Sequence, residues 1–242
     1  MTYIPPKLRE FEVRDNRPLG DGLFELLLVP ADGEPLFTFV AGQWVMLHVL
    51  NDDGSTWGKA AFTIASAPSE SHEALTIAVK IYGDYTKKLQ ALKPKDRVKV
   101  QGPYGAFVLE PGETPLVMFA GGIGITPFRS MIRELIAAND MRPVTLFYSC
   151  RTPAEACYLQ EFVDIEQAHP VFHFVPILTR EAPEHWEGET RRLDKAMLEK
   201  YLGTFDNTEY LMCGAPDFMD GIRAMLLSKN VDVKLHLRKE SF

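Results

Sequence analysis

Residues able to do chemistry gather in a few stretches of this sequence. Gly121-Gly122-Ile123-Gly124-Ile125-Thr126-Pro127 lies between an apolar run, Leu116–Ala120, and a helical period through Phe128, Met131, Ile132, Leu135 and Ile136. A strand, a glycine turn and a helix in that order let the backbone approach a pyrophosphate. The helix start adds free N–H groups and the positive end of its dipole. Pro127 suits the first helical turn, where its missing N–H costs nothing. Cys213 follows the apolar run Tyr210–Met212 and precedes Gly214 and Pro216. That is the carboxyl edge of an expected parallel strand, where open α/β sheets hold their ligands. Ser149, Arg151 and Arg180 end two further apolar runs, and Arg192 follows on the next segment. Neither run ends in the Asp or Glu that would accept from a ribose 2′-hydroxyl; these residues offer donors instead.

Metal chemistry has no such support. Cys150, Cys157 and Cys213 cannot build a disulfide framework and lack the clustered spacing of zinc or iron–sulfur sites. Cys150 and Cys157 read as buried packing residues, and a reducing cytoplasm fits this cysteine usage. No pair of histidines has the HExxH spacing. His48 and His173 alternate with apolar neighbours, which predicts solvent-facing strand positions rather than ligands.

The elements that must position these residues follow from the pattern of the chain. Its 242 residues are 46% apolar and 24% charged, an ordinary globular composition that excludes a disordered chain, a collagen and a coiled-coil rod. No window approaches the roughly 18 apolar residues of a membrane span, and Met1–Pro6 lacks a basic-then-apolar signal pattern. A soluble, cytoplasmic protein is expected. A net charge of −7 argues against a nucleic-acid partner, since phosphate binding needs basic surface. Through residue 111 the chain reads as short strands between turns: Leu23–Val29, Gln43–Leu50, Ala60–Ala65, Leu75–Tyr82 and Arg97–Gln101, with one helix over Thr86–Leu92. That pattern predicts an antiparallel β-barrel. After the turn-rich Glu110–Pro115, apolar runs alternate with helical periods. The strands are Leu116–Ala120, Val144–Tyr148, Val171–Leu178, Tyr210–Met212 and Val233–Leu237; the later helices are Pro153–Ile165, Leu193–Leu202 and Asp217–Leu227. Such alternation predicts a doubly wound parallel sheet. The expected domains are therefore 1–111 and 112–242.

Several blocks, in order along nearly the whole chain, resemble the ferredoxin–NADP reductase family, a flavin barrel followed by a nicotinamide-nucleotide domain without an iron–sulfur domain. Ala61-Phe62-Thr63-Ile64-Ala65-Ser66 resembles the family's flavin strand, with an aromatic residue beside the isoalloxazine and a hydroxyl facing its N5. The stretch Val79-Lys80-Ile81-Tyr82-Gly83-Asp84-Tyr85-Thr86 resembles its pyrophosphate loop and helix start. Gly102-Pro103-Tyr104-Gly105 is similar to its barrel-closing turn. Gly121, Gly122, Gly124, Thr126 and Pro127 correspond to its nucleotide loop, and Cys213-Gly214-Ala215-Pro216 to the segment beside the nicotinamide. Glu240-Ser241-Phe242 matches an acid followed by a terminal aromatic that stacks on the flavin. One place departs: Ala60 stands where the family carries a phosphate-binding Arg, and Lys59 points to the opposite face of the strand.

The resemblance implies a reductase in which NAD(P)H passes a hydride to FAD, rather than FMN, and electrons then leave to a protein carrier. Thr63, Cys213, Glu240 and Phe242 would act at the reacting atoms. Lys59, Phe62, Ile64, Val79, Lys80, Gly83, Tyr85 and Thr86 would line the flavin, with Thr86 and the helix start near Tyr85 holding its phosphates. An Arg introduced at Ala60 should then tighten FAD. Ser149, Arg151, Arg180 and Arg192 favour NADPH over NADH. The local excess of +5 between Lys87 and Lys99 implies a transient acidic carrier, a ferredoxin or flavodoxin. A reductase of free flavins and a non-catalytic interaction subunit are the alternatives.

Overall fold

The computed structural model describes residues 6–70 and 72–241. They form two compact units. One runs through Leu109 and also takes in Thr126–Ala138; the other comprises Glu110–Ile125 and the chain from Asn139 onward.

The first unit is a six-stranded antiparallel sheet of β1 (Leu8–Gly20), β2 (Leu23–Pro30), β3 (Trp44–Leu50), β4 (Thr56–Thr63), β5 (Leu75–Lys80) and β6 (Arg97–Tyr104), in the order β4-β3-β6-β1-β2-β5. Just past β4, the Ala65 N–H donates to the Thr76 carbonyl at 2.8 Å, so the two edges of the sheet meet as in a barrel. Alternate residues fill the interior, among them Phe11, Val13, Leu26, Leu47 and Val100. β1 escapes a sequence reading because only Phe11 and Val13 of its central residues are apolar; Glu10, Arg14 and Asp15 beside them are exposed. Helix α1 (Gly83–Gln90) starts three residues before its expected position, at a glycine with φ +76°, and buries Leu89. Helix α2 (Thr126–Ala137) belongs to this unit. Ser130 Oγ donates to the Ser66 carbonyl at 2.7 Å, and Arg129 Nη1 to that of Ala65 at 2.8 Å. Glu70 holds both Arg129 and Arg133 at 3.0 Å.

The second unit is a five-stranded parallel sheet of β7 (Leu116–Gly121), β8 (Val144–Cys150), β9 (Phe172–Leu178), β10 (Glu209–Cys213) and β11 (Leu237–Glu240), ordered β11-β10-β7-β8-β9. Helices α4 (Lys195–Tyr201) and α5 (Pro216–Leu227) cover the face of Phe119, Phe147 and Tyr210. On the other face, Phe162 of α3 (Leu159–Ala168) packs against Phe172 and Phe174. Two expectations are corrected. The helix expected from Pro153 is a 3₁₀ turn, Pro153–Glu155, separated from α3 by Tyr158 in the left-handed region at φ +59°. The strand expected over Val233–Leu237 is the short helix α6 (Val233–His236), with β11 beginning at Leu237. There the Asp232 carboxylate accepts from the Lys234 N–H at 3.0 Å, and this cap overrides the β propensity of the run.

Candidate functional site

Chain order sets where a ligand can enter the parallel unit. From β7 the chain winds outward through β8 and β9, then returns to the other side of β7 for β10 and β11. The winding therefore reverses between β7 and β10, and their carboxyl ends open a crevice there. Ala120 stands in register with Cys213 across it; beside them Cys213 is in register with Glu240 of β11, and Gly121 with Ser149 of β8. Gly122–Ile125 forms a 3₁₀ turn. A Cβ on Gly124 would lie 2.3 Å from the Cys213 carbonyl oxygen, so only glycine lets the turn rest on the end of β10. Gly122, at φ +53°, faces open space. This bare, approachable backbone fits the diphosphate of a dinucleotide. Thr126 and Pro127 open α2 and are buried. Cys213 is fully buried; burial, with Glu240 adding to it, pushes its thiol far above the usual range. The group is a fixed neutral thiol rather than a nucleophile.

Sequence reasoning missed Phe218. Its ring lies 2.9 Å from where a Cβ would stand on both Gly121 and Gly214, locking the two turns together. The signal was an aromatic residue one helical turn after Gly214.

The arginines sit on a braced edge. The Thr179 N–H donates to the Cys150 carbonyl at 2.9 Å, and the Arg180 N–H to that of Arg151 at 3.0 Å. These bonds bring the exposed Arg151 and Arg180 onto adjacent segments. Among the described residues, neither guanidinium forms an ion pair, nor does exposed Arg192, whereas Arg191 pairs with Asp194 at 2.9 Å. Ser149 stands beside the glycine turn.

In the antiparallel unit, Phe62, Ala60 and Gly58 pair with Val45, Leu47 and Val49 on the inward face of β4. The pairing shifts by one residue between Val49 and Leu50, leaving Trp57 as the extra residue of a bulge. Tyr85 of α1 lies against this face. A Cβ on Gly58 would be 3.1 Å from its ring, and its hydroxyl donates to the Leu47 carbonyl at 2.5 Å. Burial pushes its phenol well up. The rings of Phe62 and Tyr85 are 6.2 Å apart at 16°, and those of Trp57 and Tyr85 6.1 Å apart at 20°. Thr63, Ile64 and Val79 are buried, while Lys80 and Gly83 are exposed. The Thr86 hydroxyl accepts from the Tyr82 N–H at 2.6 Å and donates to the Gly83 carbonyl at 3.2 Å. It is spent on its own helix start rather than presented to a ligand. Lys59 lies on the other face, as strand alternation requires, in register with His48. His48 corrects its expectation. It is buried, because its inner strand sets it between Lys59 and Lys99 in register. Burial first, then those two ammonium groups, push its pKa down. His173 is exposed, as expected. Phe242 lies outside the described residues.

Comparison with known proteins accords with both halves. Residues 27–109 match the oxidoreductase FAD-binding domain family and residues 118–224 the oxidoreductase NAD-binding domain family. The reductase component of phenol 2-monooxygenase from Pseudomonas sp. strain CF600 is 32% identical over 78% of this chain, which spans 54% of that relative's length. The NAD(P)H-flavin reductase of Vibrio harveyi is 29% identical over 78% of this chain and 80% of its own. The FAD/NAD-binding domain of nitric oxide dioxygenase from Vibrio cholerae shares the fold, with a TM-score of 0.86 at 22% identity, covering 97% of this chain and 98% of that one. Among the described residues no helix is long and apolar enough to cross a membrane. With both domain families matched in order, and with a glycine cradle at the reversal of the parallel sheet, the chain belongs to the ferredoxin–NADP reductase-like flavin oxidoreductases.

Proposed function

We propose that the chain is an NAD(P)H-dependent flavoprotein reductase that takes NADPH in preference to NADH and delivers electrons to an acidic protein carrier such as a ferredoxin or flavodoxin. The observation that carries this reading is the Gly121–Gly124 turn seated on the carbonyl of buried Cys213. Residues 1–111 serve the flavin and 112–242 the nucleotide. A bound flavin supplies the conversion of a two-electron hydride into single electrons. This chain's own residues bind and orient. Cys213 and Gly214 position the nicotinamide, Phe62 and Thr63 hold the flavin ring, and Glu240 and Phe242 complete the polar and stacking contacts that the family resemblance implies. Arg151 and Arg180, free of ion pairs among the described residues, would grip a 2′-phosphate through charge-assisted hydrogen bonds. The carrier follows from the lysines of α1, Lys87 and Lys88, and from likeness to the reductase component of an oxygenase.

Ala60, a side chain with no donor on the face that Tyr85 covers, favours a second reading, a reductase of free flavins. Anaerobic titration with NADPH and with NADH, following visible absorbance, tests the proposal. Bleaching by NADPH at lower concentration is expected. A protein that stays colourless with added flavin would instead be an interaction subunit.

A further inference from the structure

At His48 a polar atom is buried with nothing to bond. β3 lies between β4 and β6, and Leu47 and Val49, on either side of His48, point into the core. His48 therefore sits on the outward face of the sheet, turned away from that of Phe62. It is 7% exposed. Thr56 Oγ1 lies 3.4 Å from its Nδ1, while its buried Nε2 has no hydrogen-bond partner among the described residues. With the Thr56 hydroxyl donating to Nδ1, Nε2 carries the proton and is a donor in need of an acceptor. A buried donor left without one is costly.

The neighbours define what that acceptor must be. Lys59 and Lys99 stand in register with His48, one on each side. Adjacent strands lie about 4.8 Å apart, so the two lysine Cα atoms are about 10 Å apart. Both ammonium groups can then reach one ligand above the ring. Neither lysine forms an ion pair among the described residues. The flanking rows are neutral: Met46 with Ala61 and Gln101, and Leu50 with Thr56. Gln101 Nε2 is committed to the Pro6 carbonyl at 2.9 Å. On β1, Glu10 lies beyond Lys99, and Glu12 holds Arg97 at 3.4 Å. In the turn joining β3 to β4, the Asp53 carboxylate accepts from the Ser55 N–H at 2.9 Å and hydroxyl at 2.5 Å. Burial and the two ammonium groups hold the imidazole neutral. Two cations and one N–H match a doubly charged tetrahedral oxyanion better than a single carboxylate. The side chains around the ring on this face, Lys59, Lys99, Met46, Leu50 and Thr56, are exposed or half-buried. Movable stems rather than packed core therefore screen Nε2.

We propose that Lys59, His48 and Lys99 form a binding site for a phosphate group on the outward face of the antiparallel unit, turned away from Phe62. The ring signals of His48 are followed by NMR in the full chain, assigned by their loss in His48→Gln. Sodium phosphate is added at about pH 7.5, where phosphate is mostly the dianion, against sodium chloride of equal ionic strength. The expected result is a saturable shift with a dissociation constant on the order of 1 mM, absent with chloride. Lys59→Gln and Lys99→Gln, both at the surface, should each weaken binding about tenfold. Methyl phosphate separates the sources. Binding as tight as that of inorganic phosphate marks a site open to phosphate monoesters, and binding of inorganic phosphate alone marks one for the free ion; either upholds the proposal. A shift that chloride reproduces, acetate bound as tightly as phosphate, or lysine variants that titrate like the parent overturns it.

Discussion

Single residues divide here into those whose role is written in their neighbours along the chain and those whose role depends on the fold. Gly121, Gly124 and Cys213 are of the first kind, because a strand end, a turn and a helix start are local. Replacing Cys213 by Ala should slow flavin reduction by NAD(P)H about tenfold, or about 1.4 kcal/mol, with flavin affinity unchanged in a binding titration. Its thiol is held protonated by burial, so the parental rate should not rise with a thiol titration at alkaline pH. Arg180→Ala should raise the KM for NADPH by about tenfold or more, the loss of one charge-assisted bond of about 1.5–3 kcal/mol, and that for NADH little. Equal changes would show that Arg180 does not read the 2′-phosphate. Trp57, Tyr85, Thr86 and His48 are of the second kind. A strict period of two puts Trp57 with Lys59, and one extra residue reverses it. His48 has its own pH signature. Its folded pKa is depressed, so the unfolded chain binds the extra proton, and stability rises with pH across the ordinary value of about 6.5. That stability should be lost as pH falls below it. The urea midpoint should drop between about pH 7.5 and 5.5 in the parent, and drop less in His48→Gln.

At the scale of elements, the alternation of apolar runs and helical periods makes the parallel unit legible, since buried parallel strands are continuous in apolar residues. Leu116–Gly121 and Val144–Cys150 lie within two residues of their expected bounds. The antiparallel unit is harder, because a strand with one wet face dilutes its own signal. β1 goes unread for that reason, while α6 replaces a strand through one capping carboxylate. No property of the sequence of α2 tells which sheet it will dock on. It is fixed in the first unit by a few polar contacts. Burial alone would raise the Glu70 carboxyl, but Arg129, the Ala67 N–H and Arg133 outweigh it and hold it low. The stability this confers is present at neutral pH and lost as pH falls through the carboxylate range. Arg129→Ala should cost about 1–3 kcal/mol in chemical denaturation at neutral pH, and less in acid. An unchanged midpoint would mean that Ser130 and the apolar face of α2 suffice.

For the whole molecule, a net charge of −7 repels an acidic carrier at long range, so encounter depends on local cations within a screening length of about 10 Å at 0.1 M salt. The cationic run splits in the fold. Lys87 and Lys88 lie on α1, Arg97 pairs with Glu12 at 3.4 Å, and Lys99 stands beside His48. Reversing Lys87 and Lys88 to Glu should slow reduction of an acidic carrier several-fold at low salt, leaving reduction of ferricyanide unchanged. Insensitivity to both salt and charge reversal would remove the acidic carrier from the reading. The placement of α2 bears on how such a protein can be recombined. The segment Thr126–Ala138 is inherited with the glycine turn but keyed to Ser66 and Glu70. A chimera spliced once, near residue 111, therefore imports a foreign helix into the old sheet and breaks a lock it did not mean to touch. Grafting a new nucleotide preference calls for a patchwork that leaves Thr126–Ala138 native, and in a lineage that shuffles these units, Glu70 and Arg129 should travel as a pair.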